Sequence, residues 1–72
     1  MDLQKIKSQL PSGGIKTISV KSGVHYATVQ AFFNGKKTKE DLSIMKFTAQ
    51  YLKEYKEAKA SATNELQAVA SA

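Results

Sequence analysis

His25 is the only histidine in a chain of 72 residues that contains no cysteine. A nucleophile or a bound metal needs companions, and a thiolate, a second imidazole and a convergent group of acids are all missing from the sequence. Glu40 and Asp41 are neighbours, so on a helix their side chains point about 100° apart and cannot share a proton or an ion. Gly13-Gly14 lacks the lysine-bearing loop that follows a strand in nucleotide hydrolases. No catalytic set, metal site, cofactor or small-molecule ligand is therefore implied, and an enzyme is the least favoured class. The chemistry on offer is recognition. Eleven lysines can meet an anion, and the amide of Gln30 can present a donor and an acceptor together.

The lysines are unevenly placed. Residues 1–39 carry seven lysines and one acid, Asp2, while residues 40–72 carry four lysines and five acids. The halves are thus +6 and −1, within a total of +5. A basic half joined to a nearly neutral one points to a polyanion-binding face and a separate element for folding or association. No stretch approaches the length of a membrane span, so a soluble, cytoplasmic protein is expected.

Helices must position these groups. Leu3, Ile6 and Leu10 mark one face of a short helix, with Asp2 as its N-cap. Pro11-Ser12-Gly13-Gly14 breaks it. Ile15, Ile18, Ser19 and Ser22 share a face of a second helix that Gly23 should stop in a left-handed cap. Val24, Val29, Phe32 and Phe33 supply the apolar side of a third, closed by Asn34-Gly35. A long helical tract then starts near Thr38 or Lys39. Its stripe Leu42, Met45, Ala49 and Leu52 is expected to close the core, and Ser61–Asn64 is expected to interrupt it. The fold class is all-α: four helices, or five with that interruption, in a domain over residues 1–60. Residues 61–72 form a helical or partly disordered extension.

Local propensity also allows a β-hairpin. Ile18, Val20, Val24, Tyr26, Thr28 and Val29 favour strands, with Lys21-Ser22-Gly23 as the turn. The wider pattern opposes it, because a strand would send Phe32 and Phe33 to opposite faces. Two short helices crossing at a tight turn need a residue tolerant of positive φ, small residues at the crossing, and apolar groups that lock the pair. Gly23, then Ser19 and Ser22, then Ile18, Val24, Val29 and Phe32 meet those needs.

Residues 15–35 (IKTISVKSGVHYATVQAFFNG) accordingly resemble the helix-turn-helix of the lambda-repressor-like superfamily. Gly23–Val29 with Asn34 is similar to the lac-repressor-type headpiece. Two features depart from the family: Ser19 stands where alanine is usual, bringing a hydroxyl that needs a partner, and a complete helix precedes the motif, as in Cro-like domains. The resemblance implies a recognition helix over residues 25–33 in the major groove of double-stranded DNA, in a small transcriptional regulator that sits at the nucleoid when bound. His25 and Tyr26 open that helix, and Ala27, Gln30 and Ala31 face outward as base contacts. Gln30 suits adenine, and the two alanines suit a thymine methyl. Lys16, Lys21, Thr28, Asn34, Lys36 and Lys37 are the expected phosphate contacts, joined by the amides after Gly13-Gly14. Phe47, Tyr51, Tyr55, Ala58 and Ala62 form a second stripe on the long helix, expected to pair two copies as a homodimer. The competing class is a protein-interaction module that docks through this helix and keeps the helix-turn-helix as a scaffold.

Overall fold

The computed structural model describes residues 2–71. Among them are four helices and no strand: α1 (Leu3–Gln9), α2 (Gly14–Ser22), α3 (Tyr26–Phe33) and α4 (Asp41–Ser71). The fold is all-α with a long C-terminal helix, and the hairpin alternative is overridden by tertiary packing of the helical faces.

Each boundary has a local cause. The Asp2 carboxylate accepts from the Lys5 amide at 3.1 Å, capping α1. Gly23 ends α2 at φ 73° and ψ 9°, the left-handed conformation, and its amide bonds to the Ser19 carbonyl. Gly14 serves a different purpose. It is buried at the start of α2, and a Cβ there would stand 3.0 Å from the Leu10 Cβ and 3.5 Å from the Tyr51 Cε2. Only glycine lets the end of α1 and the side of α4 approach α2 so closely. At the head of α4, Asp41 Oδ1 accepts from the Thr38 amide at 2.9 Å and the Thr38 hydroxyl at 2.6 Å. The same hydroxyl accepts from the Glu40 amide at 3.2 Å, so Thr38 and Asp41 cap the helix reciprocally.

The core joins all three later elements. Ile18, Val24, Val29, Phe32, Phe33 and Ile44 are buried, and Leu3, Ile6, Leu10 and Ile15 pack against them. Both phenylalanines point inward, edge to face, with centroids 5.1 Å apart. The Ser19 hydroxyl finds its partner, donating to the Val24 carbonyl at 2.6 Å. Ser22 Oγ donates to the Ile18 carbonyl at 2.6 Å and accepts from the Val24 amide at 3.2 Å. The two crossing serines thus tie the turn together.

Two expectations for α4 are corrected. The helix runs through Ser61–Asn64 without a break. Alanines surround this segment, no glycine or proline lies in it, and Ser, Thr and Asn each cost only tenths of a kcal/mol (about 0.5–0.7) in a helix. The inner face is also different. Ile44 and Thr48 are the buried residues, with Phe47 and Tyr51 packed on the core, whereas Leu42 is 62% exposed and Met45 37%. Ile44 and Met45 are adjacent, so a rotation of about 100° separates the expected stripe from the observed one. Phe47 and Tyr51 therefore help to close the subunit and are not a free dimer surface. Of that expected stripe Tyr55 is half-buried, and Ala58 and Ala62 are exposed.

Candidate nucleic-acid interface

The outer face of α3 is set by what its inner face buries. With Val29, Phe32 and Phe33 turned inward, Tyr26, Ala27 and Gln30 are exposed in a row. Gln30 Nε2 donates to the Tyr26 hydroxyl at 3.3 Å, one turn away. That bond limits the rotamers of a long side chain and holds its amide at the surface. His25 is the N-cap: its Nδ1 accepts from the Ala27 amide at 3.2 Å. In this geometry Nδ1 is already used, and only Nε2 faces outward. Ala31 lies on the outer arc as well, but it is half-buried and offers less surface than expected. Thr28 is half-buried as well.

A second feature lies beside Tyr26. A hollow of about 230 Å³ is lined by Lys7, Lys16, Gly13, Gly14 and Tyr26, among others. Gly13, at φ 77°, makes no side-chain cap bond, so the first-turn amides of α2 have no side chain to satisfy them. The Gly14 amide donates to the Pro11 carbonyl at 2.9 Å, so an anion at that end would meet the N–H groups of Ile15 and Lys16, the positive end of the helix dipole and two lysines. Lys7 was not among the expected contacts. It belongs to α1 and comes to this hollow only through the packing of α1 on the core. Its one sequence signal was its membership of the acid-poor half.

The remaining lysines divide. Lys36 and Lys37 are exposed on the connection between α3 and α4. Lys21, expected to hold a phosphate, instead turns toward α4. Its Nζ lies 3.8 Å from a Glu54 carboxylate oxygen and 5.4 Å from the centre of the Tyr51 ring. The pair is exposed and weak. Asn34 caps the C-terminal end of α3 and shares a hollow with Asp2 and Gln4. The Asp2 carboxylate in that hollow works against an anion there.

No metal-sized group of His, Asp and Glu is found among the described residues, and none of their helices is long and apolar enough to cross a membrane. No family model, curated protein or solved structure matches the chain.

Proposed function

We propose that the chain binds double-stranded DNA in a sequence-specific manner and acts as a small transcriptional regulator, with α3 entering the major groove. The observation that carries this is the exposed row Tyr26–Ala27–Gln30 beside the uncapped start of α2 and its lysines. Gln30 reads an adenine edge through its two-sided amide, and Ala27 packs on a thymine methyl. Tyr26 holds Gln30 and borders the phosphate hollow. Lys7, Lys16 and the amides of Ile15 and Lys16 take a backbone phosphate, with Lys36 and Lys37 as flanking, sequence-independent contacts.

Binding to random duplex DNA, titrated with salt, tests the class of partner. Affinity should fall steeply, with a slope near −0.9 for each phosphate neutralised. Indifference to duplex at low salt would refute the proposal. Selection from a random pool tests the face itself. Gln30→Ala should blur preference at one or two base pairs and cost about 1–3 kcal/mol on the best site. Lys16→Ala should weaken every sequence alike and flatten the salt slope by about one unit.

A protein-interaction role has its own support in an apolar groove where α4 meets α1 and the end of α3, which has a more specific occupant.

A further inference from the structure

A second stripe runs along α4 beside the one that closes the core. Met45, Thr48, Leu52, Tyr55, Lys59, Ala62, Leu66 and Val69 follow at alternating intervals of three and four, the spacing of a coiled-coil seam; Thr48 belongs to the core-facing side as well, buried where the seam begins. The subunit covers only its beginning. There, a groove of about 360 Å³ opens between Leu3, Ile6, Phe32 and Phe33 on one side and Met45 and Leu52 on the other. Lys56 makes the last bond to the body, donating to Gln9 at 2.8 Å. From Glu57 to Ser71 every residue is exposed, with Leu66 and Val69 at 69% each. One end of the helix thus offers an empty apolar groove, and the other offers two uncovered apolar side chains of the same seam. A straight helix keeps the two ends about 36 Å apart, so one chain cannot bring them together.

From this pattern we infer that the protein forms a two-fold dimer whose α4 helices pair antiparallel, each tail lying in the groove of the other copy. Reversing one helix keeps the three- and four-residue steps matched only in registers that set first positions against second positions. One such register places Val69 of the partner on Met45, Leu66 of the partner on Thr48, and Ala62 of the partner on Leu52. Tyr55 then faces Lys59 of the partner. The small residue meets the largest aliphatic one, and the two apolar tail residues fill the groove. Charge decides the direction. In a parallel pair, Lys59 would face Lys59 of the partner inside the seam, and the groove would stay empty. In the antiparallel pair each lysine meets a tyrosine ring and hydroxyl. Ala49, Ala58, Thr63 and Ala70 flank the seam and let the helices approach. The contact is isologous and closed, so it stops at two copies. It stands or falls independently of DNA binding.

Sedimentation and oxidative cross-linking of the full chain test both the pairing and its direction. The native protein should be dimeric at micromolar concentration, and a monomer there would overturn the inference. Leu66→Glu with Val69→Glu changes only exposed tail residues, so helical content should persist. Dimer dissociation should strengthen by more than about a hundredfold, from the apolar surface no longer buried. A dimer indifferent to that pair would equally overturn it. Because the chain has no native cysteine, position-specific thiols report direction. Met45→Cys combined with Val69→Cys should oxidise to a covalent dimer, while Val69→Cys alone should not. Rapid cross-linking of Val69→Cys alone would mean parallel pairing and would reject the proposed arrangement.

Discussion

Ser19 and Thr48 are both hydroxyls set among apolar side chains, and only one of them has a partner. Ser19 is bonded to the Val24 carbonyl across the turn, while Thr48 Oγ1 is buried on the inner face of α4 with no hydrogen bond. An unpaired buried hydroxyl loses hydration without compensation, at a cost of about 1–3 kcal/mol. Thr48→Val keeps the branched shape and removes the orphan, so it should raise stability by about 1 kcal/mol in urea unfolding. A lowered midpoint would show that the hydroxyl is bonded in solution to a carbonyl of its own helix. Gly23 gives the opposite case, where the cost lies in the backbone. A Cβ there would meet nothing within 4 Å, yet φ is +73°. Gly23→Ala should therefore destabilise by about 1–2 kcal/mol through conformation alone. Thermal melts of the two variants should shift in opposite directions.

At the scale of elements, the sequence was most legible where a break and a periodicity coincided. Asp2, Gly23 and the Leu3, Ile6, Leu10 face located α1 and α2, because a cap, a left-handed glycine and a buried stripe constrain the chain independently. The outward row Tyr26, Ala27 and Gln30 was legible for a related reason: three buried neighbours on a short helix leave one arc for everything else. α4 was not legible in the same way. Ile44, Thr48 and Tyr51 repeat at the same intervals as Met45, Ala49 and Leu52, and spacing alone cannot choose between two stripes one residue apart. The choice is made by α2, whose buried Gly14 admits Tyr51. The place of Lys7 beside α2 and the turn of Lys21 toward Glu54 were not legible, because a lysine's direction depends on which helix lies beside it. The cap of α4 is a local device and carries its own test. Thr38→Ala removes the bond to Asp41 and the one to the Glu40 amide, and should cost about 1 kcal/mol. Thr38→Ser should recover most of it in the same unfolding assay.

The whole molecule is elongated, 51 Å by 23 Å by 17 Å, because the end of α4 leaves the body. Its two proposed surfaces are separable: the row on α3 with the α2 hollow, and the seam on α4. Ending the chain after Lys56 keeps every core residue and the Lys56–Gln9 bond. It removes one lysine and two acids, raising the net charge from +5 to +6. If DNA is held by α2, α3 and their lysines, the shortened chain should still bind random duplex, with about half the salt slope of the dimeric full chain because one module neutralises about half as many phosphates. It should lose any preference for a palindrome over a single half-site, since one module alone makes too few base contacts. Its melting temperature should also stop depending on protein concentration, a dependence that the dimer imposes on the full chain by mass action. Titrations on random duplex, half-site and palindrome, with melts at two concentrations, separate the cases. A shortened chain that folds but no longer binds random duplex would place the anion-binding surface on the end of α4, and the recognition face on α3 would have to be abandoned.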